Sequence, residues 1–354
     1  MIAKIGLDLG YANITISNVS AEVHREPSIV LVDKNNRSVL AIGNRAASWD
    51  DSVGNPSAML VRPFKNGLLY SSDFTRDIVK HTVRSIGATD KIRCVMALPS
   101  DFIAKQEAEV FKMLKDAGVT ECFSVNPAVA ALIGAGYSPS ISAVSVNVGA
   151  ASTEIAILHK GEIVFTVREE IGGENFDKAV KQFILRQGDM NVSLLVARTI
   201  KERLGAVWQG RASESLDIEG TLSLTGSKVR MSISTEDVVG VFEQPLKMLL
   251  EAVANAVKRI PIESVKDVFE NGIILSGGGS EIYGLDIMMS KVFGISVTRA
   301  NSPIDSVSKG LARINAFLPL KLRSDKNITS QLSKLYESKK DDGKNKTKKK
   351  GKTG

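Results

Sequence analysis

The chain has 354 residues, of which 43% are hydrophobic and 24% charged, the composition of a globular protein rather than a disordered or fibrous one. Its net charge is +7, but residues 339–354 hold eight lysines and two aspartates, so this tail carries almost all of it. A nearly neutral body with 5% aromatic residues argues against nucleic-acid binding. The two cysteines and three histidines do not have the spacing of metal ligands. The first residues form a strand-like run without the pattern of an export signal, which predicts a cytoplasmic protein.

The first half of the chain opens with a strand, a turn and a second strand. Apolar residues alternate through Ile5–Leu9 and again through Ile14–Ile16, with the turn Gly10–Asn13 between them, which predicts a β-hairpin. Turn residues across 26–64 then indicate a small insertion. After it, the hydrophobic spacing predicts a helix over 73–86, a buried strand over 92–98 and an amphipathic helix over 103–117.

The second half repeats this opening pattern, with a strand over Val144–Val148, the turn Gly149–Ser152 and a strand over Ile155–Ile157. Aligned on Asp8 and Asn147, the two copies lie 139 residues apart, so a duplicated α/β domain is the economical explanation. The pattern then predicts a strand over 161–167, helices over 175–186 and 192–207, a strand pair over 218–233, a long helix over 238–260 and a short buried strand over 273–275.

The end of the chain has a different character. Ile328, Leu332 and Leu335 are spaced i, i+4, i+7, which predicts one apolar face of an amphipathic helix within 321–338. Residues 339–354 are too polar to bury a core and are expected to be disordered. We therefore divide the body into a first half, 1–137 with an insertion about 28–66, and a second half, 138–320 with an insertion about 175–250 and a last helix near 303–318 packing back on the first half.

Three small-residue turns, each following a strand, have the chemistry of a phosphate site. Backbone N–H groups in such turns can surround phosphate oxygens because no side chain blocks the approach. One such turn is weak support, whereas three in this order and spacing are much stronger. The turns are Gly10-Tyr11-Ala12-Asn13, Gly149-Ala150-Ala151-Ser152 and Gly277-Gly278-Gly279-Ser280.

With these turns the sequence resembles the actin, Hsp70 and sugar-kinase superfamily, and within it most closely the bacterial actin MreB family. The first turn is similar to the MreB phosphate loop, with Tyr11 where a threonine is usual. Further landmarks that resemble the family run from residue 5 to about 310. They are Glu26-Pro27-Ser28, Arg62-Pro63-Phe64-Lys65-Asn66-Gly67, the run from Asn126 to Gly136, Gly172-Gly173-Glu174-Asn175-Phe176-Asp177, and Leu275 to Ser280 with Gly284-Leu285-Asp286.

The resemblance implies an α/β, actin-like duplicated ATPase fold of two domains, each with two subdomains, with ATP or ADP and Mg²⁺ in the cleft between them. It also implies which residues bind the nucleotide. Phosphate is held by Gly10, Tyr11, Ala12 and Asn13 from one side and by Gly149, Ala150 and Ala151 from the other, with Gly173 in the same site. Lys201 and Glu202 contact the adenosine, and the purine and ribose lie over Gly277, Gly278, Gly279 and Ser280. Asp8 organises the waters of Mg²⁺.

The hydrolytic positions implied by the resemblance are Asn126, Asn147, Ser152 and Thr153, and they are partly degenerate. MreB proteins usually have a glutamate at Asn126, which orients the attacking water, and an aspartate at Asn147, which helps to hold the hydrated metal. An amide can hydrogen-bond a water but cannot take its proton. Eukaryotic actin itself has an amide at the position of Asn126, but the double change predicts slow ATP hydrolysis.

The implied function is a bacterial actin that polymerises into membrane-associated filaments governing cell shape or cell-body motility. Its expected partners are further copies of itself, related MreB-type proteins and an anionic surface at the inner face of the cell membrane, reached through the lysine-rich tail. A sugar- or acetate-type kinase stays open, although no acceptor-activating residue stands out near the turns, and so does a nucleotide-binding regulator that does not polymerise. An Hsp70-like chaperone would need a substrate-binding domain after the ATPase body, and we expect none.

Overall fold

The structure is a computed structural model that describes residues 2–49, 57–65, 68–69, 72–87 and 91–339. The tail from residue 340 onward lies outside the described residues, and so do Asn66 and Gly67 of the predicted landmark. Across the described ranges, the helices are all too short or too polar to cross a lipid bilayer.

The first part of the chain forms a mixed α/β unit. Its strands are β1 (Ile2–Leu9), β2 (Asn13–Asn18), β3 (Val23–Pro27), β4 (Val30–Asp33), β5 (Val39–Ile42), β6 (Ala58–Val61), β7 (Phe64–Lys65), β8 (Leu68–Leu69), β9 (Lys91–Ala97) and β10 (Glu121–Val125). Its helices are α1 (Asn44–Ala47), α2 (Ser72–Arg84), α3 (Ala104–Asp116) and α4 (Pro127–Gly134).

The second part follows with the same alternation of strands and helices. Its strands are β11 (Ala143–Val148), β12 (Thr153–His159), β13 (Glu162–Glu169), β14 (Met190–Asn191), β15 (Ser215–Leu222), β16 (Lys228–Ser234), β17 (Ile273–Ser276) and β18 (Val297–Arg299), with β19 (Lys326–Asn327) near the end of the chain. Its helices are α5 (Gly173–Gly188), α6 (Leu194–Leu204), α7 (Thr235–Val238), α8 (Glu243–Val257), α9 (Val265–Asn271), α10 (Leu285–Phe293) and α11 (Ser306–Phe317).

The two large sheets have the same topology, which confirms the predicted duplication. The first has the order β19-β10-β9-β1-β2-β3 and the second the order β13-β12-β11-β17-β18. In each, a central strand pairs with an antiparallel hairpin partner on one side and a parallel strand on the other. The registers also correspond, since Asp8 lies opposite Thr15 and Asn147 lies opposite Glu154. Hereafter the first half is the part built around the six-stranded sheet, and the second half is the part built around the five-stranded one.

Two predicted helices have different bounds in the structure. The helix predicted over 238–260 is present as α8 but is shorter at both ends, since α7 ends at Val238 and α8 runs from Glu243 to Val257. Gly240 lies between them with φ of +86°, a conformation that interrupts a right-handed helix. The helix predicted from residue 192 begins at Leu194, because the Ser193 hydroxyl accepts the N–H of Val196 at 3.2 Å and caps it.

The core that joins the two halves centres on helices α4 and α11, which pack closely. Gly134 and Gly310 lie at their crossing, and a Cβ atom at either would overlap a backbone carbonyl oxygen of the other helix, that of Ser306 or of Ala130. Glycine is needed at both positions so that the backbones can approach. The same core includes Ala156 of β12 and Val95 of β9, so it contains residues from both sheets.

The segment after α11 returns to the first sheet. Ile328 and Leu332 are fully buried in the core between the halves, and Leu335 packs against it, so the predicted apolar residues are covered by protein. The helix predicted over 321–338 is confirmed only in its last part, because β19 and a 3-10 turn at Thr329–Gln331 precede it and Ile328 lies outside the helix. Residues 332–339 are helical. Arg93, itself fully buried, donates to the backbone oxygens of Pro319 at 3.1 Å and Leu320 at 2.9 Å, which fixes the path of the chain toward β19.

Candidate functional site

The two hairpin turns face each other across a cleft of about 300 Å³ between the halves. Most of the site residues predicted from the sequence line it. They are Asp8, Gly10, Tyr11, Ala12, Asn13, Asn147, Gly149, Ala150, Ala151, Ser152, Gly173, Lys201, Glu202, Gly277, Gly278 and Gly279. The predicted residues Asn126, Thr153 and Ser280 do not line this cleft.

The glycines of the two hairpin turns allow tight backbone conformations. A Cβ atom at Gly10 would lie 2.6 Å from the Asn13 oxygen, and the N–H of Gly149 donates to the Ser152 oxygen at 2.9 Å. The second turn is also anchored from behind, because the first N–H groups of α5 donate to the oxygens of Gly149 and Ala150 at 2.9 and 2.8 Å. The second turn is therefore fixed at the edge of the cleft by backbone hydrogen bonds within the turn and from α5.

Four backbone N–H groups in these turns are available to a ligand. Those of Tyr11 and Ala12 on one side, and of Ala150 and Ala151 on the other, donate to no acceptor within the described part of the chain. All four residues line the cleft. Such turns form a concave set of donors that suits an anion with several oxygens, as a phosphate group has.

The side chain of Tyr11 is occupied in holding the first turn. Its hydroxyl donates to Oε1 of Glu174 on α5 at 3.2 Å, and the Arg62 guanidinium lies 5.4 Å from the centre of its ring. Burial raises the pKa of the Tyr11 hydroxyl, and the neighbouring Glu174 carboxylate raises it further. Tyr11 thus connects the first turn to the second half of the molecule and leaves its N–H for the cleft.

The opposite wall carries two cationic side chains supplied by α6. Lys201 Nζ lies 2.7 Å from Oδ1 of Asp177, and Arg198 Nε lies 3.3 Å from Oδ2 of the same carboxylate. Asp177 is almost fully buried, and its single negative charge is shared by these two cations. Glu202 of α6 also lines the cleft, so the wall holds two positive and two negative charges. Lys201 Nζ also donates to the Gly173 oxygen at 3.2 Å, and Arg198, which the sequence analysis missed, lines the cleft beside it.

The third turn also lines the cleft, through its three glycines. Gly277 has φ of +81°, and a Cβ atom at Gly277 or Gly279 would overlap Val148 of β11. At Gly278 the nearest atoms to such a Cβ belong to Ile304, 3.7 Å away, so this part of the turn is open. Ser280 is buried and donates its hydroxyl to the Gly277 oxygen at 2.6 Å, so its side chain stabilises the turn instead of facing the cleft.

Asp8 is the carboxylate best placed for a hydrated cation. It lines the cleft at the end of β1, and burial raises its pKa to about 6 while the nearby Arg25 guanidinium opposes this change. Within the described ranges no cluster of three or more His, Cys, Asp or Glu side chains is placed to hold a metal ion directly. Magnesium usually keeps several waters and binds through one or two carboxylates together with substrate phosphates. Asp8 fits that mode.

The predicted hydrolytic residues lie in different surroundings. Asn126 caps α4, because its Oδ1 accepts the N–H groups of Ala128 at 2.9 Å and Val129 at 3.2 Å. Thr153 is buried, and its hydroxyl donates to the Ile171 oxygen at 2.7 Å, behind the sheet. Asn147 and Ser152 line the cleft, and Oδ1 of Asn147 accepts the Ser276 hydroxyl at 3.2 Å.

Glu154 is a cleft residue that the sequence analysis missed. It is 4% exposed, lines the cleft and lies opposite Asn147 in the β11–β12 pair, so the two side chains share a face of the sheet. Burial raises the pKa of its carboxyl to about 7, against the opposing effect of hydrogen bonds from Ser100. A charged residue inside the apolar run Thr153–Ile157 was the sequence signal that could have revealed it.

Known proteins are similar to this chain over almost its whole folded body. The sequence profile of the MreB/Mbl protein family matches residues 2–320. The cell shape-determining protein Mbl of Bacillus cereus is 28% identical over 316 residues, covering 86% of this chain and 93% of that protein. The cell shape-determining protein MreB of Escherichia coli is 26% identical over 319 residues, with coverage of 86% and 91%.

Solved structures of bacterial actins share the fold. MreB5 of Spiroplasma citri bound to AMPPNP matches with a TM-score of 0.82 and 22% identity, covering 88% of this chain and 95% of that one. The MamK double helical filament matches with a TM-score of 0.77 and 22% identity, covering 90% and 100%. These values confirm the predicted actin-like α/β fold.

Proposed function

The chain belongs to the MreB/Mbl family, and from that premise we propose that it is a bacterial actin that binds ATP or ADP with Mg²⁺ in the cleft and assembles into filaments. The observation that carries this proposal is the pair of hairpin turns from opposite halves, each offering free N–H groups to the same cleft. The cationic side chains of Lys201 and Arg198 in the cleft lining support it, because ammonium and guanidinium groups form strong hydrogen bonds with phosphate oxygens.

In this proposal, the phosphates connect the two halves of the molecule. Tyr11 and Ala12 donate from the first turn, and Ala150 and Ala151 from the second, so a phosphate chain between them would fix the angle of the cleft. The open part of the third turn at Gly278 accommodates the base and ribose, and Glu202 and Lys201 border them. Magnesium, held through water by Asp8, would neutralise phosphate charge when bound. By fixing the angle of the cleft, nucleotide binding would select one orientation of the halves for assembly.

Hydrolysis is proposed to be slow. Asn126 and Asn147 are amides, so neither can remove a proton from water, and Asn126 is in addition committed to capping α4. Of the predicted hydrolytic positions, Asn147 and Ser152 face the cleft, where they can orient water or phosphate oxygens by hydrogen bonding. Thr153 would act only indirectly, by holding β12 in place.

The cellular role follows from the relatives. Two of them are named cell shape-determining proteins, one structural neighbour is a double helical filament, and the Spiroplasma neighbour was solved with AMPPNP and with ADP. We propose a role in cell shape or cell-body motility, in the cytoplasm at the inner face of the membrane, with related MreB-type proteins as partners. We also propose that the boundary between the two halves of the chain lies between residues 137 and 138.

A sedimentation assay with parallel nucleotide binding tests the proposal. We expect purified protein to bind a fluorescent ATP analogue with Mg²⁺ and to pellet on high-speed centrifugation when ATP is added, with less pelleting in EDTA. Absence of nucleotide binding at millimolar concentration would contradict the proposal. Binding without pelleting would favour the non-polymerising regulator, and ATP turnover stimulated by a sugar or by acetate would favour the kinase.

A second test concerns the lysine-rich tail. The apolar face of Ile328 and Leu332 is covered by the protein core, so membrane attraction would come from the tail charges alone. Each lysine near an anionic surface contributes about 1 kcal/mol at most. We expect the full chain to co-sediment with phosphatidylglycerol vesicles. Removal of residues 339–354, or roughly 0.5 M salt, should reduce binding at least about tenfold, since salt screens exposed charges. Equal binding of the truncated protein, or equal binding to phosphatidylcholine vesicles, would show that the tail is not the anchor.

A further inference from the structure

A carboxylate is present in the cleft beside the degenerate hydrolytic positions. Glu154 lines the cleft and Asn126 does not. Nδ2 of Asn126 donates to Oε2 of Glu154 at 3.3 Å, so the Asn126 amide is oriented toward the Glu154 carboxylate. We propose that Glu154 is the general base of the residual ATP hydrolysis, an inference that rests on the proposed nucleotide function.

The hydrogen bonds around Glu154 leave one carboxylate oxygen accessible. Oε2 accepts the Ser100 hydroxyl at 2.9 Å as well as the Asn126 amide, whereas Oε1 accepts only the long backbone N–H bond of Ser100, at 3.3 Å, among the described residues. A carboxylate oxygen can accept about two hydrogen bonds. Oε1 therefore keeps acceptor capacity for a water in the cleft, while the bonds to Oε2 fix the side-chain orientation.

The duplicated fold explains why Glu154 lies at the cleft. Asp8 and Asn147 are equivalent residues of the two central strands, and Thr15 and Glu154 are the residues opposite them. In the first hairpin the acid is on the central strand; in the second it is on the hairpin partner. Because directly opposite residues of an antiparallel pair share a face, Glu154 occupies the same side of the sheet as the amide of Asn147.

The chemistry of the step is ordinary hydrolysis. Oε1 of Glu154 accepts a proton from a water as the water oxygen forms a bond to the γ-phosphorus. The bond between that phosphorus and the bridging oxygen breaks, and its electron pair leaves with ADP. The proton on Glu154 then passes to the released phosphate or to solvent, so the products are ADP and inorganic phosphate and the carboxylate is restored. Positioning and electrostatics carry most of phosphoryl-transfer catalysis, so a single base contributes a limited factor.

The protonation behaviour of Glu154 is compatible with this role. Its pKa is raised to about 7, chiefly by burial and in smaller part by Asp101, against the lowering effect of the hydrogen bonds from Ser100 and of the Arg168 charge. A general base works best when its pKa lies near the working pH. Glu154 is 4% exposed, so its carboxyl group is shielded from bulk solvent.

The test compares two replacements of Glu154 that make opposite predictions. Glu154→Gln keeps the size and loses the proton acceptor, whereas Glu154→Asp keeps the acceptor and shortens the side chain. We expect phosphate release at saturating Mg-ATP to fall on the order of 10–100-fold in Glu154→Gln and less in Glu154→Asp, with the Kd of a fluorescent ATP analogue changed no more than about threefold in either.

A purely structural role would give the reverse order, because the isosteric glutamine would then be the better replacement. Glu162→Gln serves as the matched control, since it makes the same change at an exposed acid of β13 that does not line the cleft. Its turnover should stay within about twofold of the wild type. Glutamine turnover equal to or above that of aspartate, or a wild type that binds ATP without any phosphate release, would overturn the proposal for Glu154 alone. Failure of the wild type to bind the analogue would overturn the nucleotide function as well.

Discussion

Replacing Ala150 with aspartate is expected to weaken ATP binding by roughly 100-fold, which corresponds to about 2.7 kcal/mol. Ala150 lies in the second turn, half-buried in the cleft wall, with a free N–H group among the described residues. An added carboxylate would project toward the same space as the phosphates. Two like charges about 4 Å apart repel by about 4 kcal/mol at an effective dielectric constant of 20, and screening by Mg²⁺ and water reduces this figure.

The matched control for this prediction is Ala150→Asn, which has nearly the same shape and no charge. It should weaken binding by no more than about fivefold, because the amide can still hydrogen-bond phosphate. Equilibrium titration of a fluorescent ATP analogue measures both variants, and circular dichroism checks that each is folded. If the asparagine and aspartate variants bind equally well, the phosphates do not lie at this turn.

Gly310→Ala is expected to destabilise the protein by about 3 kcal/mol, although alanine is the better helix former by about 1 kcal/mol. The new methyl group would overlap the Ala130 oxygen, which belongs to the backbone of α4 and has no side-chain rotamer to adjust. The helices α4 and α11 would have to separate, and the core between the halves would lose contacts. For a protein of this size we expect the thermal midpoint to fall by roughly 5 °C.

The control on the same helix is Ala316→Val, which adds two methyl groups at an exposed position. It should change the unfolding free energy by about 0.5 kcal/mol or less. Thermal and denaturant unfolding followed by circular dichroism give both values. Equal midpoints for Gly310→Ala and the wild type would mean that the two helices have room to separate without loss.

The strand–turn–strand repeat was predictable because the relevant information is local. The alternation in Ile5–Leu9 and Val144–Val148 and the glycines after each strand correspond directly to the two hairpins. Hydrophobic spacing also predicted α2, β9, α3, β13, α5, α6, the β15–β16 pair, α8 and β17, whereas the helices α4, α9 and α10 and the edge strand β18 were not predicted from it. The predicted start of the long helix was five residues too early, because Gly240 has a positive φ, and the spacing of hydrophobic residues carries no information on that backbone conformation.

The site was predicted less completely, for a different physical reason. The turn residues could be recognised from their small side chains, but the contacts of Asn126 depend on groups distant in sequence. Its capping of α4 could have been foreseen, since asparagine followed by proline is a common helix start. Its contact with Glu154, and the burial that shifts the pKa of Glu154, arise only when the two sheets are brought together.

The first sheet is completed by β19, a strand that the ribosome synthesises near the end of the chain. The five-stranded sheet draws on one continuous stretch, from β11 to β18, whereas the first sheet needs β1 to β10 and then β19. Ile328 and Leu332, which close the core beneath it, are also translated after the whole second half. Domains usually fold as units during synthesis. Here the half that is translated first is the one that is completed last.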